Sequence, residues 1–400
     1  MNHSPPRRAL LLVGVAAVLA LTSCTVPAAP AHAPSASPSD AHDVGADAAA
    51  EVASPALALA VADERGRLTL LDLDTEERRV IAETDGIPTD IVGDGRLVYV
   101  VHQTESATEV DVIDTGRWTV PHGDHTHSFL AEPQRIGAIE GVGTPSITPG
   151  EQRATAYFAG TADLTTLVHE DLAEGIPSAQ QVTADGPVIA FAGHLIAANA
   201  GALDIVDADG ATAASIPCAS AIDVDMTRVG AVVTCPEGSV LFTREVGGAV
   251  VAESIPFPPG TAVTTLSGRP DRPDLAGATA QGALLLDVRA RTWTALPTDT
   301  PLVRAVAIGD DASRTIVLDA AGAVRILAPD GTVLASTQPL VADALVDPAL
   351  ADRVQLIVDA QHAYLTDPTG GEIHEIDHRD DARVTRTFTD LDPWFVQQVG

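Results

Sequence analysis

A short phrase of alternating apolar residues, opened by a small or polar turn and often closed by Asp, recurs along the chain from about residue 55. The copies are Leu68–Asp72, Val110–Asp114, Leu203–Asp207, Ser239–Thr243, Ala283–Asp287 and Ala323–Leu327, with weaker ones at Thr165–Glu170 and His362–Asp367. Repeats at intervals of roughly 40 residues, each holding several strands, are typical of β-propellers. The sequence therefore predicts an all-β fold, a β-propeller with eight four-stranded blades, or seven if the weak third copy is an insertion.

The two ends of this repeated region complement each other. The strands predicted for the second unit lie near Asp90–Val92, Arg96–Val101, Glu109–Asp114 and Trp118–Val120. The first unit starts at Ala56–Val61 without an inner strand before it, and the chain ends in the strand-like Trp394–Val399. We therefore expect the C-terminal strand to complete the first blade and close the ring, which would remove exposed strand edges.

The N-terminus has the pattern of an export signal. Arg7 and Arg8 precede an apolar run of 13 residues, Ala9–Leu21, which is too short to span a bilayer. The following Leu-Thr-Ser-Cys resembles a bacterial lipobox, in which Cys24 is lipidated and becomes the first mature residue. We predict a lipoprotein signal peptide over residues 1–23, a flexible tether over 24–54 that is poor in large apolar residues, and one propeller domain over 55–400.

Export and lipidation place the protein at the extracytoplasmic face of the cell membrane, held by its lipid anchor. Apart from Cys24, the cysteines are Cys218 and Cys235, and such a pair in an exported protein favours a disulfide. Two free buried thiols are the alternative.

The strongly negative net charge of the chain limits the classes of molecule that it can bind. Lys is absent, and 23 Arg stand against 55 acidic residues, for a net charge of −32. Such a surface repels phosphate backbones, so we predict no nucleic-acid partner. A negative field also attracts cations, although acidic surfaces commonly serve solubility.

Three of the twelve His lie within six residues, at His122, His125 and His127, with Asp124 between them. In an extended chain His125 and His127 point to the same side, about 6.6 Å apart at Cα, so both imidazoles can reach one zinc ion. Gly123 allows a bend that brings in His122 or Asp124. His102 ends a predicted second strand and is a further candidate ligand. An exposed polar loop without metal is the alternative.

No catalytic residues are predicted, because phosphate-binding loops and nucleophile elbows are missing from the sequence. His374-Glu375-Ile376-Asp377-His378 matches the letters of the HExxH zinc-protease motif. That motif needs a helix to bring both His to one ion. Pro and Gly precede it here, and the pattern indicates a strand, on which the two His would stand about 13 Å apart.

Residues 116–129, which include His122-Gly-Asp-His-Thr-His127, resemble the His-rich segment of the AztD-type zinc metallochaperones. The ending Phe395–Gly400 and the repeat layout resemble that family too. The resemblance implies an exported β-propeller that passes zinc to the solute-binding protein of a zinc ABC transporter. It carries over His122, Asp124, His125 and His127. Where the family has further His motifs, this chain has Thr144–Ile147 and Cys218–Ala221, without His.

The leading hypothesis is thus a lipid-anchored zinc chaperone. The first alternative is a metal-independent surface propeller that binds a protein or glycan partner. A hydrolase that uses the propeller channel is a third, and it would need acidic groups converging on a hard cation such as calcium.

Overall fold

The computed structural model describes residues 49–122, 125–150 and 152–400, with only the backbone described at residues 121–122. Regular structure in these residues is almost all β-strand, which confirms the predicted all-β class. One short helix, α1 (Ala342–Val346), and 3-10 turns at His169–Glu174 and Ala351–Arg353 interrupt the strands. Within the described residues, no helix combines the length and apolar character needed to cross a membrane.

Thirty-four strands occur in the described residues. The first ten are β1 (Ala50–Val52), β2 (Ala58–Ala62), β3 (Arg67–Asp72), β4 (Arg78–Glu83), β5 (Pro88–Gly93), β6 (Leu97–Gln103), β7 (Thr108–Asp114), β8 (Arg117–His122), β9 (His125–Leu130) and β10 (Gln134–Gly141). The next twelve are β11 (Ser146–Thr148), β12 (Arg153–Phe158), β13 (Asp163–Val168), β14 (Gln180–Gln181), β15 (Val188–Phe191), β16 (His194–Asn199), β17 (Ala202–Val206), β18 (Thr212–Pro217), β19 (Asp223–Met226), β20 (Ala231–Cys235), β21 (Gly238–Arg244) and β22 (Val250–Pro256). The last twelve are β23 (Asp274–Thr279), β24 (Gly282–Asp287), β25 (Thr292–Pro297), β26 (Leu302–Ala307), β27 (Thr315–Asp319), β28 (Val324–Leu327), β29 (Val333–Ser336), β30 (Leu356–Val358), β31 (His362–Asp367), β32 (Glu372–Asp377), β33 (Arg383–Phe388) and β34 (Phe395–Val399).

These strands form antiparallel sheets in the manner of a β-propeller. The four-stranded sheets are β34-β2-β3-β4, β5-β6-β7-β10, β11–β14, β15–β18, β19–β22, β26–β29 and β30–β33. Strands β23–β25 form a three-stranded sheet, beside which Ser267 bridges to Ala276 of β23. A further small sheet, β1-β9-β8, stands outside this series. The weak third repeat is therefore a sheet of its own, β11–β14.

The hydrophobic core consists of layers between successive sheets. The described residues contain eight clusters of buried apolar side chains, and each cluster joins one sheet to the next. In β2, Ala58, Ala60 and Ala62 face the β5–β10 sheet. Leu59 and Val61 alternate with them and pack on the β30–β33 sheet. Because β2 is buried on both faces, it needs apolar residues at every position.

The predicted pairing of the C-terminal strand is confirmed. Strand β34 pairs antiparallel with β2 through five residue pairs, from Ala58↔Val399 to Ala62↔Phe395. Strand β34 therefore forms the edge of the first sheet beside β2, and its residues Val396 and Val399 are fully buried there.

The predicted fourth strand of the second sheet, Trp118–Val120, is wrong. The outer partner of β7 is β10, and Trp118 lies on β8, which pairs with β9. The chain leaves the sheet at Gly116, whose φ of 70° is a backbone conformation that glycine adopts without strain and that other residues rarely adopt. A Cβ at Gly116 would also lie 2.2 Å from the carbonyl oxygen of Ala131, where the hairpin returns. The hairpin β8–β9 is thus an insertion between two strands of one sheet.

The structure also bears on the predicted tether and on the predicted disulfide. The tether was predicted to reach residue 54, but residues 50–52 form β1 against β9. Cys218 and Cys235 form the predicted disulfide, with Cα atoms 5.6 Å apart. Cys218 follows β18 and Cys235 ends β20, so the bond joins two neighbouring sheets. Cys24 lies outside the described residues.

Deletion of residues 391–400 should sharply lower the melting temperature. The deletion removes β34, leaves one edge of the buried strand β2 without a partner, and exposes the apolar cluster that Val396 shares with Leu59. The single change Phe395→Ala should cost about 3 kcal/mol or more of unfolding free energy. Leu334→Ala, at an exposed apolar position, is the control. A truncated protein that melts with the parent would contradict the role given to β34.

Replacing Cys218 and Cys235 with Ala should lower the free energy of unfolding by about 3 kcal/mol, because their bond closes a loop of 17 residues. Urea denaturation of the oxidised parent, the reduced parent and the double variant measures the effect. The two thiol-free or reduced proteins should unfold at similar urea concentrations, both below that of the oxidised parent.

Candidate functional site

The hairpin β8–β9 carries the His-rich segment. The strands pair from Arg117↔Leu130 to His122↔His125, so that residues directly opposite each other share a face. The alternation of β9 places His125, His127 and Phe129 on one face, with Trp118 opposite Phe129. Thr119 and Ser128 hydrogen-bond at 3.0 Å on the other face. We call the first of these faces, on β9, the histidine face.

A stack of buried side chains holds the base of the histidine face. The rings of Trp118 and Phe129 stack with centroids 5.3 Å apart. The guanidinium of Arg96 lies 3.9 Å from the centroid of the Trp118 ring, and it pairs with Asp114 at 2.7 Å. Such a cation on a buried indole face is attractive, and the ion pair fixes its position. The hairpin is therefore anchored to the end of the β5–β10 sheet.

A second contact ties the hairpin to the first sheet. Arg117 donates hydrogen bonds to Asp72 at 2.8 Å and to the carbonyl oxygen of Ala56 at 2.9 Å. Burial disfavours the charged form of Asp72, but hydrogen bonds from Thr75 and Arg117 outweigh burial, so the pKa of Asp72 lies below its ordinary value. The carboxylate stays ionised at neutral pH and holds Arg117.

At the outer end of the histidine face, His125 and His127 approach each other. Their Nε2 atoms form a hydrogen bond at 3.0 Å, and their rings cross at 66°. Two nitrogens bound to one tetrahedral zinc ion at about 2.0–2.1 Å are separated by about 3.3 Å. The spacing of these nitrogens thus nearly equals that of two zinc ligands. His125 is exposed and His127 is half-buried, so solvent reaches the pair.

The other nitrogen of His127 has its own partner. Its Nδ1 lies 2.6 Å from Oε1 of Glu51, on the neighbouring strand β1. A carboxylate only accepts hydrogen bonds, so Nδ1 of His127 is the donor in this contact. Metal-binding His are commonly oriented by a carboxylate in this way.

The structure brings together two of the five predicted ligands, His125 and His127. His122 pairs with His125 in the backbone register, but its side chain lies outside the described part of the chain, as does Asp124. His102 is not brought to the hairpin. It lies at the end of β6, next to the first residues of β7, whereas the hairpin follows the last residue of β7.

His102 belongs to a different group of side chains. Its Nε2 is 3.0 Å from Oδ2 of Asp111, and both residues are buried. With Glu109 they form the one His/Asp/Glu group in the described residues whose ligand atoms lie within 4.8 Å of one another. Arg135 already contacts both carboxylates, at 2.5 Å from Asp111 and 3.2 Å from Glu109. A metal ion here would therefore have to displace a guanidinium.

The HExxH letters lie on a strand, as predicted. Strand β32 contains His374 and Glu375, and His378 follows it. Each has a partner in the sheet: Glu375 binds Arg386, His374 contacts Thr387 at 3.2 Å, and His378 reaches the Asp359 carbonyl at 3.3 Å. Burial lowers the pKa of His374 and of His378, so both imidazoles are neutral at neutral pH.

A polar cleft lies between the β11–β14 and β15–β18 sheets. Its volume is about 590 Å³, within the range of small-molecule pockets. The residues that line it include Arg153, Gln180, His194, Asn199 and Asp204. Asn199 donates to Asp204 at 2.6 Å, so part of the hydrogen-bonding capacity of the lining is used internally.

Sequence reasoning missed Glu51, which it placed in the tether. The only local signal is a short stretch, Ala50–Val52, whose pairing with β9 joins residues almost 80 positions apart. It also missed Arg135 and the carboxylates beside His102. Alternation along β7 places Glu109 and Asp111 on one face and is the signal that links them.

The fold resembles that of solved structures. Two structures of AztD from Citrobacter koseri, one of them in the apo form, match with TM-scores of 0.73 and 0.74 and identities of 17% and 16%. Each match covers 86% of this chain and 98% of the AztD chain. Dihydro-heme d1 dehydrogenase NirN matches at a TM-score of 0.51 and 15% identity, over 86% of this chain and 75% of its own. No family model and no curated protein matches the chain. At these identities the likeness shows that the chain shares the AztD fold.

Proposed function

We propose that the protein is a lipid-anchored zinc chaperone at the extracytoplasmic face of the cell membrane, which delivers zinc to the solute-binding protein of a zinc ABC transporter. The observation that carries zinc binding is the 3.0 Å approach of the Nε2 atoms of His125 and His127. Zinc is the cargo in this proposal and the hairpin is its carrier.

The proposal includes the whole scaffold. Eight sheets would be the blades of a ring closed by β34, with the hairpin sheet outside the ring. Two observations support this reading: β34 pairs with β2, and β2 packs on the last sheet of the chain. The ring would hold the hairpin base rigidly, and the predicted tether, residues 24–54, would connect it to lipidated Cys24, with residues 50–52 of that segment paired to the hairpin as β1.

Transfer requires that the metal be released as well as bound. His125 and His127 supply two ligands, and His122 or Asp124 would supply a third, since His122 is paired directly with His125. A zinc ion with three protein ligands keeps one position open, whereas closed four-ligand sites are structural. An open position lets an acceptor ligand bind before the donor ligands leave. The net charge of −32 would raise the local concentration of cations.

The polar cleft favours a second candidate function. A metal-independent surface propeller would use that cleft to bind a protein or glycan partner through the Arg, amide and carboxylate groups that line it. We favour zinc because the two Nε2 atoms have a ligand-like spacing. No enzymatic activity is proposed.

The double change His125→Ala and His127→Ala should abolish tight zinc binding, because it removes both nitrogens of the pair. The fold should remain, since neither residue belongs to a core cluster. Titration of zinc against a competing chelator measures the affinity, and the melting temperature reports folding. His194→Ala, at a histidine of the cleft, is the matched control and should bind like the parent.

Glu109→Gln separates the two metal hypotheses. If zinc binds at the hairpin, this variant keeps the affinity of the parent. If the variant loses zinc and the double His variant does not, the ion belongs to the group around His102. A parent that binds no zinc would favour the metal-independent propeller.

Cys24→Ala should move the protein from the membrane fraction to the soluble fraction of cells, because it removes the residue that would carry the lipid. Fractionation followed by immunoblotting measures this, with the double Ala variant of Cys218 and Cys235, which keeps Cys24, as the control for cysteine replacement. A Cys24 variant that stays with the membranes would rule out the lipid anchor.

A further inference from the structure

Glu51 is the residue through which the N-terminal segment touches the candidate zinc site. It lies on β1, which pairs with β9 at Ala50↔Leu130, Glu51↔Phe129 and Val52↔Ser128. The position directly opposite Glu51 is Phe129, and His127 is its diagonal neighbour on the same face. Diagonal neighbours lie within reach of long side chains, and the carboxylate contacts His127 Nδ1 at 2.6 Å.

We infer that Glu51 is a positioning residue for the zinc site, and that zinc binding and the docking of β1 on the hairpin stabilise each other. The inference rests on the proposed zinc binding at His125 and His127. With Nδ1 held by Glu51, the ring of His127 turns its Nε2 toward His125. By accepting the hydrogen bond from Nδ1, the carboxylate also makes Nε2 a more basic ligand for a cation.

The linkage follows from the shortness of β1. Three residue pairs at the edge of a hairpin give a strand that gains little from backbone pairing alone, and both Ala50 and Glu51 are exposed. Even the small stabilisation expected of a solvent-exposed contact such as Glu51 with His127 is therefore significant for the docking of β1. If Glu51 binds more strongly to a metal-bearing His127, then zinc must stabilise β1 by the same factor as β1 strengthens zinc binding.

The consequence concerns the segment that precedes the propeller. In the zinc-loaded protein residues 50–52 are held on the hairpin as β1. In the zinc-free protein β1 is released more often. Zinc loading thereby changes how firmly residues 50–52 are held on the hairpin without any change in the other sheets.

The test uses the full-length protein and zinc alone as the ligand. Glu51→Gln keeps the shape of the side chain and removes its charge, and loss of such an outer carboxylate typically weakens metal binding about tenfold or more. Glu51→Asp retains the charge and should recover part of the affinity. Glu132→Gln removes a charge two residues after β9, where Glu132 pairs with Arg79 and not with a histidine, and should bind zinc like the parent.

Hydrogen exchange of a peptide covering residues 49–54 is the second measurement, because a purely structural contact would not respond to metal. Zinc should slow this exchange in the parent, and should slow it less in Glu51→Gln. It should have no effect in the double variant of His125 and His127. Cobalt in place of zinc gives visible absorption bands, which should shift in Glu51→Gln if the ring of His127 turns.

The outcomes separate the two proposals. A parent that binds zinc equally well with Glu51→Gln, and whose residues 49–54 exchange at the same rate with and without zinc, keeps the zinc site and overturns the role of Glu51. A parent that binds no zinc overturns both proposals. Equal losses in Glu51→Gln and Glu132→Gln would assign the effect to general surface charge and would also overturn the role of Glu51.

Discussion

The antiparallel pairing of β34 with β2 is the contact on which the arrangement of the sheets depends. It joins residues more than 300 positions apart, and Val396 of β34 lies beside Val61 of β2. Every other sheet of the series is built from strands that are close in sequence, so each can form locally. The first sheet alone requires the last residues of the chain, and pairing across so long a separation carries a larger loop-closure cost than the local pairings of the other sheets. Alternation of small and large residues along β2 serves two different neighbouring sheets at once.

The candidate site lies on the element that departs from this repeat. Repeated sheets bury their side chains against neighbours, which leaves little room for histidines that must reach solvent. The hairpin β8–β9 leaves its sheet at Gly116 and is fixed at its base by Trp118, Phe129 and Arg96. Its histidines are thus carried by a rigid base and remain accessible at the other end. The same distinction separates the hairpin from the group around His102, where His102 and Asp111 are buried and Arg135 already pairs with both carboxylates.

Much of the scaffold could be predicted from the sequence because the repeat is periodic and the strands alternate. Strands β5, β6 and β7, the pairing of β34, and the shared face of His125 and His127 all follow from those two patterns. The error at Trp118–Val120 has a physical cause: an apolar strand inserted after β7 has the same local pattern as an outer strand, and only the later appearance of β10 distinguishes them. Glu51 could not be found, since its role comes from a pairing between distant segments and its surroundings have the composition of a linker.

The exposure of the hairpin affects how readily a bound metal ion could be exchanged with an acceptor. A metal ion leaves a buried site slowly when no water molecule can take the place of each departing ligand. The ion would then be left as an unpaired charge in the interior, which is costly. At the hairpin, His125 is exposed and water can replace each ligand in turn. The affinity lost through exposure can be recovered by orienting the imidazoles beforehand, since less freedom is then lost on binding. Glu51 and the stack beneath Phe129 orient His127 without covering it. If zinc binds at the hairpin as proposed, ligands that are oriented by their neighbours and still open to solvent would combine tight binding with ready release.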